Sequence, residues 1–283
     1  MKVNKKTKIV VVVASFALLG VSLMMKPAHT KVYPAHKPLA KSNVKIVEDA
    51  DGDGEVSKGD MISIHSVTDG EKNVVFRVIS NTGNFYKLLS MDRVDSISTA
   101  TSYNIIRTDG KYISSYSNSN IDDMANEYYE SLPGEVQQAI IPQMVKQSIY
   151  KFEYGDDEAT KTCSGKYLYL YESADEIMNA AKMADRMKLS VMKTGETKVG
   201  ERYVYAPDLD EIIDYIGSSR TPETTRTAMY GTDEISIDFL ATRTAVDDFP
   251  DRIAIVNQVT GNFADVRTNV TVDFHPEFVI ELK

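Results

Sequence analysis

The sequence predicts an α+β domain with a β-rich C-terminal third, preceded by an N-terminal signal or anchor helix and a single calcium loop. Three observations lead there. Apolar residues switch along the chain between alternation at every second position and helical spacing. Capping residues precede the helical stretches, and Gly or Pro follows them. A run of alternating acidic residues, DADGDGEVSKGD, fills positions 49–60 just ahead of a strand-like stretch.

The first element is the leader. Four lysines (Lys2, Lys5, Lys6, Lys8) precede an apolar run from Ile9 to Met25. That run is about 17 residues, roughly 25 Å as a helix, which is short for a bilayer span and long for a signal-peptide core. No small-x-small cleavage site follows it, so residues 1–26 read as a signal peptide or a membrane anchor. The basic flank favours a cytoplasmic N-terminus and an exported body. Residues 27–44, with Pro27, Pro34 and Pro38 among lysines, read as an extended spacer.

Charge follows the same division. Residues 1–41 carry eight lysines and no acid, so the overall charge of −9 leaves −17 on the rest of the chain. Such a body repels phosphate backbones, which argues against nucleic acid as a partner and suits divalent cations. The one cysteine, Cys163, excludes an intrachain disulfide and a cysteine-based zinc site. It reads as a buried small hydrophobe.

The loop at 45–60 carries the clearest chemistry. An EF-hand-type loop needs oxygen ligands at positions 1, 3, 5, 7, 9 and 12, with Gly at 6 for the sharp turn. Asp49, Asp51, Asp53, Glu55, Ser57 and Asp60 fill those positions, and Gly54 stands at 6. The aspartates offer carboxylates, Glu55 its carbonyl, and Ser57 a hydroxyl or water-mediated contact. Carboxylates packed at alternate positions repel unless a cation neutralises them. The expected cofactor is Ca2+, because Mg2+ demands tighter octahedral geometry and holds its water. Val44–Val47 and Met61–His65 alternate like strands on either side, so the loop is a clip at a domain boundary rather than part of a helix–loop–helix. The loop resembles that of dockerin modules. A dockerin has two such loops leading into helices, and this chain has one leading into a strand.

The remaining elements follow in order over residues 59–283. Asn73–Ile79, a turn at 81–84 and Phe85–Leu89 read as a β-hairpin. Residues Ser117 to Asn120 cap a helix with Asp122 and Asp123 in its first turn and Ile121, Met124, Tyr128 and Leu132 on one face. Pro133-Gly134 breaks it, and a second helix is expected over Glu135–Ile149. A Tyr-rich strand follows at Lys166–Tyr171. Ser173 with Glu176, and Asp208 with Glu211, are capping boxes opening further helices, with a short strand at Tyr203–Tyr205 between them. Gly217 ends the last. Strands are then expected at Ile235–Thr242, Arg252–Val256, Val270–Val272 and Phe278–Leu282, with a turn at Thr260-Gly261-Asn262.

Several short motifs together resemble an uncharacterised family of exported bacterial domains related to C-type lectins and the formylglycine-generating enzyme. They are Gly59-Asp60, Phe76-Arg77-Val78-Ile79, Tyr116-Ser117-Asn118-Ser119, Asn126-Glu127-Tyr128-Tyr129, the step from Leu168 to Glu176, and His275-Pro276-Glu277-Phe278-Val279-Ile280-Glu281. The resemblance covers residues 59–283 and implies a C-type-lectin-like mixed fold. Two positions depart from it: Phe239-Leu240-Ala241-Thr242-Arg243 stands where the family has Trp-Leu-Arg-Ser, and His275 stands where Arg is usual. The related oxidase works through paired cysteines, which this chain lacks.

Catalytic signatures are absent: no Gly-x-Ser-x-Gly, no His-Glu-x-x-His and no phosphate-binding glycine loop. His29, His36, His65 and His275 are widely spaced. Arg243, Asp247, Asp248, Asp251 and His275 are the candidate ligand-binding residues, the aspartates forming a second cation or recognition loop. Tyr103, Tyr112 and Tyr116 lie near an Asn/Ser-rich stretch suited to sugar hydroxyls. The expectation is an extracytoplasmic, membrane-tethered binding or adhesion module with a structural calcium site, recognising a surface glycan or protein. An enzyme of the formylglycine-generating fold with non-cysteine chemistry, and a structural component of a surface assembly, are the alternatives.

Overall fold

The structure, a computed structural model, describes residues 33–91, 101–102, 114–117, 119–163, 173–217, 221–231 and 239–283. The expected leader helix at 1–26, Tyr103, Tyr112, Asn118, the strand Lys166–Tyr171 and part of the strand Ile235–Thr242 lie outside the described residues. The chain divides into two units, Met1–Ala35 and His36–Lys283, and every element below belongs to the second. No helix among the described residues is long and apolar enough to cross a membrane.

Within the segment read as spacer, residues 36–41 lie along the C-terminal strand. Leu39 donates to the Glu281 carbonyl (2.9 Å), Lys41 donates to that of Lys283 (2.9 Å), and Leu39 is buried. Strand β1 (Val44–Glu48) then pairs antiparallel with β2 (Met61–Asp69), and residues 49–60 form the loop between them. β3 (Lys72–Thr82) and β4 (Phe85–Ser90) make the expected hairpin around a two-residue turn, where Gly83 adopts φ 59°. Such a φ favours a residue without Cβ. A two-residue strand, β5 (Thr101–Ser102), follows.

Helix α1 (Asn120–Ser131) starts where its cap predicts: the Ser119 hydroxyl accepts from the Asp122 amide at 3.0 Å. Helix α2 (Gly134–Ala139) is a correction to the sequence reading, because it stops ten residues short of the expected end at Ile149. Pro142 forces Ile141 into extended geometry. β-branched Ile140 and Ile141 form β6 (Ile140–Ile141), and Gln143 onward continues as β7 (Gln143–Tyr154). Helices α3 (Glu158–Cys163) and α4 (Ala174–Met183) and the long strand β8 (Leu189–Arg202) come next. β9 (Val204–Tyr205) leads into α5 (Leu209–Ile216), whose Asp208/Glu211 capping box is reciprocally made and which Gly217 ends at φ 80°. After α6 (Pro222–Tyr230) the chain is β: β10 (Phe239–Val246), β11 (Phe249–Asn257), β12 (Asn262–Arg267), β13 (Thr271–Val272) and β14 (Glu277–Glu281). The β-rich C-terminal third is as expected, and the class is mixed α+β with strand predominating.

Among the described residues, one sheet has the order β1-β2-β3-β4-β14-β6, with β9 also pairing β14. A second has the order β12-β11-β10-β7-β8, and β10 and β7 run parallel within it. β14 is the keystone of the first sheet, flanked by β4 on one side and by β6 and β9 on the other. Its side chains alternate between two faces. Phe278 and Ile280 enter a core with α1 residues Ile121, Met124 and Tyr128 and second-sheet residues Ile253, Ile255 and Val266. Glu277 and Val279 face the other way. Leu89 and Ile79 of the first sheet join a separate core with Leu209 and Ile212 of α5 and Leu240 and Val256 of the second sheet.

Phe278 is fully buried and meets Phe76 edge-on at 5.3 Å. Phe278→Ala is expected to cost about 3–5 kcal/mol and to lower the melting temperature by roughly 10 °C, read by thermal unfolding. A loss under about 1 kcal/mol would mean that the first core does not depend on β14.

Candidate functional site

Two places bring functional side chains together. The first is the loop between β1 and β2. Asp49, Asp51 and Asp53 each place a carboxylate oxygen within 4.8 Å of the others, and Asp51 and Asp53 are exposed. The loop backbone is tied to these same groups. Asp49 accepts from the amides of Gly52 (2.6 Å) and Gly54 (2.8 Å), and Asp53 accepts from that of Glu55 (2.7 Å). The Gly54 amide, ahead of the other contacts, holds the Asp49 carboxyl below its ordinary range. Gly52 and Gly54 sit at φ 76° and 77°, conformations that L side chains rarely adopt.

The other expected ligands are placed differently. Ser57 donates its hydroxyl to Asp51 at 3.0 Å, next to the cluster. The Glu55 carboxylate pairs with Lys41 at 3.2 Å, which leaves its carbonyl as the group that position 7 requires. Asp60 is fully buried and accepts from the amides of Ala50 (2.8 Å) and Ser57 (2.7 Å). In this arrangement its carboxylate closes the loop on itself, while Asp49, Asp51 and Asp53 face one another. The donor set of three carboxylates, a carbonyl and a hydroxyl is all oxygen, which fits a hard cation.

The second place is a cleft between the two sheets, beneath α5. A cavity of about 210 Å³ is lined by Lys87, Met144, Tyr205, Asp208, Glu211 and Arg243, among others. A second cavity of about 360 Å³ is lined by Ser80, Thr82, Phe85, Ile141 and Val279 and shares Lys87 and Gln143 with the first. Phe85 and Met144, both apolar and exposed, stand at these cavities. An exposed aromatic beside hydroxyl and amide groups is a common recognition surface.

Under the cleft lies a buried charge nest. The Arg243 guanidinium bonds Glu211 (2.8 Å), the Lys146 carbonyl (2.6 Å) and the Ala206 carbonyl, and it lies over the Tyr205 ring at 5.1 Å. Glu211 also accepts from Lys87 (2.7 Å) and from the Asp208 amide (2.8 Å). Burial pushes the Glu211 carboxyl up, but Arg243 and Lys87 outweigh it and hold the group below its ordinary range. Glu277 differs. It is fully buried, Lys87 Nζ lies 3.5 Å from its Oε1, and neither carboxyl oxygen has a hydrogen-bond partner among the described residues. Tyr205, its cross-strand neighbour in β9, faces it, and burial together with the Glu277 charge raises the Tyr205 hydroxyl well above its ordinary value. Burial, with the neighbouring Glu211 charge, raises Glu277 to about 8.

Of the expected ligand-binding residues, the cleft takes Arg243, as a buried strut. His275 is buried elsewhere, its Nδ1 3.0 Å from the Ser90 carbonyl and its ring edge-on to Tyr230 at 5.7 Å. Asp247 and Asp248 form the turn between β10 and β11, with Asp248 at φ 62°, and Asp251 lies 3.9 Å from Arg267. Tyr116 is fully buried and donates its amide to Gln147 at 3.1 Å, while its hydroxyl accepts from the Ala206 amide, so it is a core residue. Lys87, Glu211 and Glu277 carry no binding role in the sequence reading. For Lys87 and Glu277 the available signal is charge within apolar strand stretches, FYKLL and PEFVIE, while Glu211 reads only as part of a helix cap. Comparison with known proteins finds no matching family model, no matching curated protein and no matching solved structure.

Glu277 keeps its proton in the folded state well above the ordinary carboxyl value of 4.5, so the folded chain binds one more proton than the unfolded chain between about pH 4.5 and 8. The resulting stability is fully present below that window and is lost as pH rises through it. Glu211 runs in the opposite sense and matters only at acid pH. Wild-type stability is therefore expected to fall between pH 5 and 8, and Glu277→Gln to flatten that slope in urea-unfolding series. An unchanged slope in the variant would contradict the assignment.

Proposed function

We propose that the chain is an exported binding module of lectin-like α+β organisation, held at or released from a membrane by its N-terminal segment. A calcium ion organises its first hairpin, and the cleft between the sheets is its ligand face. The observation that carries the calcium reading is the convergence of Asp49, Asp51 and Asp53 within 4.8 Å on an exposed loop. Like charges at that spacing repel by about 1 kcal/mol per pair even in bulk water, and a divalent cation turns the repulsion into attraction. The ion's place between β1 and β2 gives it a structural role: it fixes the loop that Arg77 anchors from β3, through a bond to the Gly59 carbonyl at 2.8 Å.

The ligand reading rests on Phe85 standing exposed beside Ser80, Thr82 and Gln143 at one cavity, and Met144 standing exposed beside Gln143 at the other. An apolar platform flanked by hydroxyls and an amide suits a glycan or an extended peptide segment, the two partner classes expected from export and an acidic body. Phe85→Ala and Met144→Ser are expected to weaken capture in a glycan-array and pull-down screen while leaving the melting temperature near wild type.

Calorimetric titration of the His36–Lys283 unit with Ca2+ tests the metal directly. Binding heat is expected, together with a rise in melting temperature of about 5–10 °C at a hundredfold excess over Kd. Asp51→Ala and Asp53→Ala are expected to abolish both. No heat and no thermal shift, or a shift that survives both substitutions, would remove the calcium claim.

A further inference from the structure

The cleft holds one acid whose cationic neighbour stays at a long contact: Lys87 Nζ lies 3.5 Å from Glu277. Glu277 is sealed from solvent, yet neither of its oxygens is hydrogen-bonded among the described residues, whereas the groups around it are tied to one another. A buried polar group in this condition calls for a specific explanation. The charged and titratable groups that face it are Lys87 from β4, Tyr205 from β9, Glu211 from α5 and Arg243 from β10. Arg243 is committed to Glu211 and to two backbone carbonyls. Tyr205 is held neutral by burial and the nearby acids. Lys87 remains. Its ammonium has three donors, sits 2.7 Å from Glu211 and 3.5 Å from Glu277, and lines both cavities of the cleft.

Charge balance decides which carboxylate Lys87 serves. With Glu277 protonated, the inner nest pairs Lys87 and Arg243 with Glu211 and Asp208, two charges of each sign. Loss of the Glu277 proton adds a buried negative charge, and an uncompensated buried charge is costly. Lys87 relieves it by closing from 3.5 Å to the roughly 2.8 Å of an ammonium–carboxylate hydrogen bond, a travel under about 1 Å. That travel loosens its hold on Glu211 and turns a second carboxylate toward the first cavity.

We propose that Glu277 and Lys87 form a proton-operated latch in the cleft. With the proton on Glu277, Lys87 holds Glu211 and the nest of Lys87, Arg243, Glu211 and Asp208 is electrically neutral. Without it, Lys87 retracts onto Glu277 and the Glu211 carboxylate faces the cavity. The cleft then favours ligands with an ammonium or guanidinium group, and by reciprocity such a ligand drives the proton off. The regulatory part of this inference rests on the cleft being the ligand face; the latch itself does not.

The test uses the full chain with no ligand, labelled with 13C at Glu Cδ and Lys Cε and titrated by NMR from pH 6 to 9.5. One carboxyl signal, absent from Glu277→Gln, is expected to titrate with a midpoint near 8. The Lys87 Cε signal, identified by its loss in Lys87→Arg, is expected to shift with the same midpoint and to stay flat in Glu277→Gln. Glu277 and Glu211 hold the Lys87 ammonium charged above its usual range despite burial, so its own titration lies outside the window. No carboxyl titrating above pH 6 overturns the proposal, and so does a Glu277 transition that Lys87 does not follow. Should Glu277→Gln fail to fold, coincidence of the two midpoints in the wild-type chain decides. A glycan or peptide screen that finds no ligand removes the ligand-face reading and leaves this result standing.

Discussion

Arg243 and Glu211 meet at 2.8 Å at the base of the cleft, Arg243 buried and Glu211 partly so, and the fold around them is built to keep them together. Arg243 rises from β10, in the middle of the second sheet. Glu211 hangs from the first turn of α5, where its carboxylate also completes the helix cap by accepting from the Asp208 amide. Lys87 reaches the same carboxylate from β4 of the first sheet. One residue of a capping box therefore fixes where a helix begins, ties it to the second sheet and joins both to the first. The Asp208 carboxylate adds to this by accepting from the Ser148 amide in β7 at 3.0 Å.

Such a nest is a questionable source of net stability, since apolar residues of like shape often serve as well. Its value lies in specificity. Removing either partner leaves a charge with little access to water, Arg243 above all, so alternative packings of α5 on the sheets are penalised. Glu277 sits in this setting with less provision than the rest. β14 needs a residue on that face next to Val279, and the chain places an acid there that the low-dielectric nest keeps protonated. The strain of one poorly served carboxyl is tolerated in the strand that the first sheet depends on most.

Local signals were legible wherever backbone chemistry settles the outcome. Ser119, Asp208 and Gly217 mark helix ends because their side chains, or the lack of one, satisfy backbone groups directly. The hairpin of β3 and β4 follows from alternation and a Gly turn. The helix expected through Ile149 failed because Val136, Ile140 and Met144 keep helical spacing while Pro142 and the β-branched pair before it forbid the geometry. Helix α6 carries a Thr221 cap, Pro222 at its start and Gly231 at φ 67° after its end, but its Thr-rich face obscures the apolar period.

The sites divide along the same line. The acidic loop is contiguous, so Asp49, Asp51 and Asp53 were readable as a cluster; the inward turn of Asp60 was not, because it depends on how the loop closes. Arg243 was singled out from a motif comparison, while its partners were hidden. Lys87, Glu211 and Glu277 lie on three elements far apart in the chain, 124 residues from the first to the second and 66 from the second to the third, and only the pairing of β14 with β4 and the seating of α5 bring them together.

The central claim is that these groups act as a unit joining α5 to the two sheets, and a double-mutant cycle tests it most directly. Arg243→Met, Glu211→Gln and the double variant would be unfolded in urea at pH 7. Each single change is expected to cost about 3–5 kcal/mol, and the double to cost less than their sum by at least about 1.5 kcal/mol. Additivity within about 0.5 kcal/mol would show two independent surface contributions and contradict the account.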